Sequence, residues 1–294
     1  MKSGFVPALG TPLDKDGCLV ADSLKKHIDD QINAGAVGLL CMGSMGQEAF
    51  IRDDVYPEVA KVAVEAVKGR VPLFIGAMDT SVARVKRRIA ALEELDIDGL
   101  VFTMPFYAVP NRQQTINFFR GVAALTKHKI LLYDLPPVTQ ARITYDMVLE
   151  LIETVPNLAG IKSADTVMFR KLKLNPNVPK DFIMVYSGLD MCDIAYKWGL
   201  DNCLDGMFAC TPYNSGKMVE AMEAGDYVTA AACLDNITGL RDCFLANDLM
   251  PSFTAAMNML GYDGDFSQDY NSPVTETAIA NVKAELIRIG ELKG

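Results

Sequence analysis

A lysine closes the apolar run Leu158-Ala159-Gly160-Ile161-Lys162-Ser163, and a tyrosine closes an earlier one, Lys129-Ile130-Leu131-Leu132-Tyr133-Asp134. Both runs have the length and unbroken apolar character of strands buried on both faces. A lysine brought to such a strand end loses hydration, which disfavours the charged form of an amine. A neutral amine is a nucleophile for carbonyl carbons. A tyrosine one strand away, if the strands are sequential neighbours, can move the protons that imine chemistry requires. The pair therefore points to a Schiff-base enzyme. A lysine just past a strand is otherwise a solvated boundary residue, so its meaning depends on the elements that carry it.

Those elements form a regular series. Candidate strands are Phe5–Leu9, Gly38–Met42, Leu73–Gly76, Gly99–Thr103, Ile130–Tyr133, Leu158–Lys162, Ile183–Ser187 and Cys203–Phe208. Between them lie stretches of helical period: Asp22–Ala34, Asp53–Lys68, Ser81–Leu95, Gln113–Thr126, Tyr145–Thr154, Thr166–Leu174, Asp190–Trp198 and Ser215–Ala224. Several open on Asp, Ser or Thr in a capping position. Eight consecutive βα units require parallel strands with crossover helices. No GxGxxG follows the first strand, which tells against a dinucleotide-binding half. The near-equal spacing favours an α/β fold of the (β/α)8 TIM barrel type. Residues 1–225 are expected to form that barrel and to carry the site. Residues 226–294 read as a C-terminal helical appendix packed on it, with helices at Tyr227–Ala246, Pro251–Leu260 and Thr275–Ile289.

Bulk properties narrow the partners. Half of the 294 residues are hydrophobic, enough for a sizeable core, and the formal charge is −9. That charge argues against nonspecific binding to nucleic acid or an anionic membrane. It leaves room for an anionic small substrate held by one or two local donors. The seven cysteines, without a CxxC pair, read as free and mostly buried thiols. No run has signal-peptide or transmembrane character, so the expected location is cytoplasmic. Only His27 and His128 are present, far apart and in no HxH or HxxxH pattern, so a histidine-rich zinc site is not expected.

In a barrel of this type the site lies at the carboxyl ends of the strands. That places Ser44, Thr103, Tyr107, Tyr133 and Lys162 at one mouth, with Ser187-Gly188-Leu189-Asp190 after strand seven and Gly206 to Cys210 in strand eight. Hydroxyls, one amine and glycine-rich backbone converge there.

The chain resembles the pyruvate-dependent class I aldolases, the family of dihydrodipicolinate synthase, N-acetylneuraminate lyase and 2-keto-3-deoxygluconate aldolase. The resemblance spans nearly the whole sequence, from Val6-Pro7-Ala8-Leu9-Gly10-Thr11-Pro12 to Ala255-Ala256-Met257-Asn258-Met259-Leu260-Gly261-Tyr262. Its most specific signs are Gly43-Ser44-Met45-Gly46, Tyr133-Asp134-Leu135-Pro136 and Gly160-Ile161-Lys162, in that order and spacing. It implies Lys162 as the imine-forming lysine, Tyr133 as proton shuttle, and Ser44 as the hydroxyl linking Tyr133 to a second tyrosine. Tyr107 matches that second tyrosine, which the family often draws from a neighbouring subunit. A homo-oligomer, tetramer or dimer, follows by the same resemblance. Substrates would be pyruvate or another 2-oxo acid and an aldehyde. No external cofactor or metal is called for, because the imine is the electron sink. Backbone N–H groups of Ser44 and Met45 suit the substrate carboxylate.

The departures concern substrate. A Ser or Thr usually stands where Met45 is, so one hydroxyl is missing. The family's glutamate after the second glycine reads Gln47, with Glu48 following: either an amide has replaced a carboxylate or the turn has shifted by one residue. The synthase branch carries an arginine soon after its Tyr-Asn-x-Pro; here Asp134 replaces the asparagine and the next arginine is Arg142. Losing a bidentate clamp disfavours aspartate semialdehyde as acceptor. Asp190 is retained for reading an aldehyde-side hydroxyl, or as a helix N-cap, but Met191 follows it. Gly188 and Cys210 are further substrate-binding candidates, and Cys210 and Ala164 lower the polarity expected of a sialic acid site. The expected activity is reversible aldol cleavage and condensation. The alternatives are dehydration or deamination within the same family, the synthase reaction, and a noncatalytic barrel that binds an oxo acid. A phosphate-binding barrel lacks a basic residue near Ser187-Gly188 or Gly206.

Overall fold

The computed structural model describes all 294 residues. Strands and helices alternate as the apolar runs imply: β1 Gly4–Pro7, β2 Leu39–Cys41, β3 Leu73–Gly76, β4 Gly99–Thr103, β5 Ile130–Tyr133, β6 Leu158–Ser163, β7 Ile183–Tyr186 and β8 Asn202–Asp205. The intervening helices are α1 Ala21–Asn33, α2 Tyr56–Val67, α3 Val82–Leu92, α4 Arg112–Ala123, the single turn α5 Pro136–Thr139, α6 Tyr145–Thr154, α7 Thr166–Leu174, α8 Cys192–Lys197 and α9 Pro212–Glu223. All strand pairs are parallel, in the order β1-β8-β7-β6-β5-β4-β3-β2. A bridge from Ala8 to Leu40 brings β1 and β2 together and rounds the sheet into a (β/α)8 barrel.

The two-residue period of the strands sorts side chains into two layers. Val6, Leu40, Phe74, Val101, Leu131, Val185 and Leu204 fill the interior. Their neighbours Phe5, Leu39, Ile75, Phe102, Leu132, Ile161 and Cys203 point outward into the larger core shared with the helices. Local chemistry starts the helices. The Asn111 side chain and Gln114 form a reciprocal capping box on α4, and the Asp165 carboxylate accepts from Met168 N–H at 2.9 Å on α7.

Strand eight ends earlier than its apolar run, which had pointed to Phe208. Residues Met207–Cys210 coil into a 3-10 turn instead. The Asp205 carboxylate accepts from Met207 N–H at 2.8 Å, and the Thr211 hydroxyl donates to the Met207 carbonyl at 2.8 Å. Hydrogen bonds within the segment thereby replace the ladder.

Three further helices complete the chain: α10 Tyr227–Ala246, α11 Leu249–Met259 and α12 Glu276–Arg288. The first lies along α9, and the other two pack on it. Phe244, Phe253 and Phe266 stack edge to face at 6.4 and 5.9 Å, inside the core that holds the outer barrel wall. Leu13 and Asp265 exchange backbone hydrogen bonds of 2.9 and 2.7 Å, tying the loop after β1 to the segment after α11. No helix is long and apolar enough to cross a membrane.

His27 sits fully buried on α1, 3.1 Å from the Ala209 carbonyl through Nε2. A carbonyl only accepts, so Nε2 carries the proton. Burial holds the imidazole neutral and lowers its pKa to about 4. A depressed pKa stabilises the fold fully above about 6.5, and that stability is lost as pH falls toward 4. Denaturant unfolding of wild type and His27→Gln should therefore diverge on acidification. The wild type is expected to lose about 3 kcal/mol more than the variant between pH 7 and pH 4.

Candidate active site

Between Ile130 and Leu131 the pairing of β5 with β6 slips by one residue. Ile130 faces Leu158, but Leu131 faces Gly160, leaving Ala159 as the extra residue of a bulge. Without the slip, Lys162 would share the outward face of Leu158. With it, Lys162 turns inward and stands beside Tyr133. Gly160 makes this possible, since a Cβ there would collide with the Ile183 carbonyl of β7. On the other side of Tyr133, β4 contributes Thr103 in the same register. One row across three strands thus reads Thr103, Tyr133, Lys162.

Lys162 is 6% exposed and Tyr133 4% exposed. The amine lies over the phenol ring, with Nζ 3.7 Å from the ring centroid. Beneath it the interior is apolar, bounded by Val6, Leu40, Phe74, Val101, Leu131, Val185 and Leu204. The Ser44 hydroxyl is 3.4 Å from the Tyr133 hydroxyl, a long contact of the kind that tightens when a substrate arrives. These three side chains come together as the strand order implies.

The turn that carries Ser44 is held from outside. Met42 and Gln47 adopt left-handed backbone at φ 54 and 56, which persists in non-glycine residues only where surroundings impose it. Thr11 donates its hydroxyl to the Gly46 carbonyl at 2.7 Å, and the Gln47 amide donates to the Phe266 carbonyl. Glu48, 1% exposed, turns away from the mouth toward α3, where its Oε1 lies 2.9 Å from Arg88. Arg88 also binds Asp79 at 3.0 Å and lies over the Tyr56 ring. Burial pushes the Glu48 carboxyl up to about 8, against the opposing pull of Arg88. The buried acid of this turn is Glu48, and Gln47 is a tether. Sequence reading missed Arg88 and Asp79 because no local motif marks the partners of a buried charge.

The remaining candidates separate. Met45 lays its side chain flat over Gly206 at the end of β8, so close that a Cβ on Gly206 would meet its Cγ at 2.9 Å. Gly188 opens the turn Leu189–Met191, and a Cβ there would strike the Tyr186 ring. Asp190 caps no helix; both its oxygens accept from Arg241 of α10 at 2.8 Å. Cys210 is a correction. It is fully buried in the outer core, its thiol 3.3 Å from the Met207 carbonyl, because the turn after β8 directs it away from the mouth. Tyr107 is 97% exposed with φ 83, and within one chain it stands clear of Tyr133.

Directly behind the row, Asp134 and Ser163 point outward. The Ser163 hydroxyl donates to Asp134 at 2.9 Å, and Ile143 N–H donates to its other oxygen at 2.9 Å. This latch fastens β5 to β6 next to Tyr133 and Lys162. Desolvation raises the Asp134 carboxyl above its ordinary pKa, only partly offset by these two donors.

A (β/α)8 barrel with a buried amine on β6 beside a phenol on β5 at the carboxyl mouth has the groups that imine chemistry requires. The chain belongs to the dihydrodipicolinate synthetase family, whose model matches residues 1–286. It is 26% identical over 293 residues to the 4-hydroxy-tetrahydrodipicolinate synthase of Acidiphilium cryptum, covering 99% of this chain and 100% of that protein. It is 30% identical over 261 residues to the synthase of Pseudoalteromonas atlantica, covering 86% and 87%. In fold it matches a prophage protein of Escherichia coli K12 from the dihydrodipicolinic acid synthase family, solved with pyruvate, at TM-score 0.88 and 22% identity over 99% of each chain.

Asp134→Ala leaves the Ile143 N–H and the Ser163 hydroxyl without their buried acceptor. Chemical denaturation at pH 7 should show a loss of about 2–4 kcal/mol; an unchanged midpoint would remove the latch from the account.

Proposed function

We propose that this chain is a Schiff-base lyase that makes and breaks a carbon–carbon bond between pyruvate, or a 2-keto-3-deoxy acid, and an aldehyde. The observation that carries the reading is the buried Lys162 amine lying over the Tyr133 ring at the carboxyl mouth. The Lys162 amine attacks the keto carbon, and water leaves as the imine forms. The protonated imine draws electrons, so the adjacent carbon either loses a proton or releases the aldehyde half. Tyr133 carries protons in and out, with Ser44 as its hydroxyl partner. The turn at Ser44 and Met45 offers backbone N–H groups to the carboxylate.

The name shared by the relatives supports a second acceptor reading, the synthase reaction. Against it, no arginine follows Tyr133-Asp134-Leu135-Pro136 closely, and Arg142 lies 4.0 Å from Asp165 with its side chain 65% exposed. Met45 over Gly206 and the engaged pair Asp190–Arg241 favour a compact acceptor with few hydroxyls. Dehydration and deamination share the imine, and product analysis on a panel of 2-keto-3-deoxy acids separates them. Exposure of Tyr107 and neighbouring Val109 supports a homo-oligomer in which Tyr107 enters the mouth of another copy.

Borohydride with pyruvate should add a stable mass to Lys162, mapped by peptide mass spectrometry, and Lys162→Ala should abolish both adduct and turnover. An unlabelled Lys162 rejects the mechanism. For the shared tyrosine, Lys162→Ala and Tyr107→Phe subunits, each nearly inactive, should regain turnover when unfolded and refolded as a mixture. A mixture as inactive as its parts refutes sharing between subunits, and a Tyr107→Phe protein as active as the wild type places Tyr107 outside the site.

A further inference from the structure

The mouth holds one buried hydroxyl that nothing in the protein satisfies. Thr103 is 2% exposed, and its Oγ1 has no hydrogen-bond partner. Along β4, Leu100, Phe102 and Met104 face the outer core while Val101 faces the interior, so Thr103 points inward. Its register partner is Tyr133, whose other neighbour is Lys162. Adjacent strands lie roughly 4.8 Å apart, so Thr103 and Lys162 flank Tyr133 about 10 Å from each other at the backbone. The Lys162 Nζ lies over the Tyr133 ring, 3.7 Å from the ring centroid. A group bonded to that nitrogen sits over the middle of the row that Thr103 ends.

An unpaired buried hydroxyl costs free energy, so its retention calls for a partner that arrives later. The other side chains that could greet the carboxylate are engaged or unsuited. The Ser44 hydroxyl is directed at Tyr133, and Met45, which has no donor, lies on Gly206. We infer that Thr103 is a substrate-binding residue whose hydroxyl donates to the carboxylate of the 2-oxo acid held on Lys162, supplying from β4 the side-chain donor that Met45 cannot. The assignment rests on the Schiff-base reading and adds to it the group that orients the bound oxo acid. No bond is made or broken at Thr103. Its hydroxyl proton turns toward the carboxylate, and the imine plane is held across Tyr133.

The test uses the full chain, pyruvate and borohydride, reading the Lys162 adduct against pyruvate concentration, with thermal melting of each variant alongside. Thr103→Val should raise the half-saturating pyruvate concentration about tenfold or more, the loss of one hydrogen bond to a charged group. Its melting temperature should equal or exceed that of the wild type, because the change removes an unpaired polar group. Thr103→Ser keeps the hydroxyl and should preserve the wild-type concentration dependence. Thr103→Val labelled at wild-type pyruvate concentrations overturns the assignment. So does a Thr103→Val protein that melts several degrees lower, since the hydroxyl is then part of the fold. If the wild type gives no adduct, the Schiff-base reading fails and takes the assignment with it; an adduct indifferent to Thr103→Val sinks the assignment alone.

Discussion

A single register slip between β5 and β6 decides which way Lys162 faces. Parallel strands alternate their side chains strictly, so one extra residue on one strand inverts the facing of everything beyond it. Ala159 is that residue, and Gly160 beside it lets β7 approach. From this slip follow the pairing of amine and phenol, the row that Thr103 extends, and the outward facing of Asp134 and Ser163. The inner and outer faces of the same two strands thus divide the labour. Thr103, Tyr133 and Lys162 face the mouth, and the groups that lock the strands face the helices.

The same division governs the turn after β2. Its left-handed residues and its buried acid are unfavourable in isolation. They are held by contacts to distant elements: Thr11 after β1, Arg88 on α3 and Phe266 beyond α11. The segment after α11 is in this sense part of the site's support, since it closes over the outer side of the Ser44 turn. Rigid support of this kind is what the proposed carboxylate site of backbone N–H groups would require, because such donors must be aligned before the anion arrives.

Substrate choice rests on what surrounds this frame. This chain belongs to the dihydrodipicolinate synthetase family and differs from the resemblance-based pattern at Met45, Gln47 and Asp134. Two of those differences prove to be structural. Gln47 tethers the turn, and Asp134 latches β5 to β6. Met45 is the one that reaches toward the mouth, and it exchanges a hydroxyl for a flexible apolar side chain.

Much of the architecture was legible in the sequence because its causes are local. Apolar runs of strand length and side chains at Asn111 and Asp165 that cap helices need only near neighbours to act. The order of strands then followed from the alternation of units, and with it the meeting of Tyr133, Lys162 and Ser44. What stayed hidden depends on residues far away in the chain. The facing of Lys162 depends on Ile183 against Gly160; the role of Gln47 depends on a carbonyl 219 residues later; and Asp190 is claimed by Arg241, 51 residues on. Cys210 left the mouth because hydrogen bonds around Met207 curled the end of its strand. The sequence by itself determined which elements form and which residue types stand at their ends. Only the tertiary structure decided which way those residues face, because facing is set by register and close packing between segments, and neither is encoded in the spacing of any one of them.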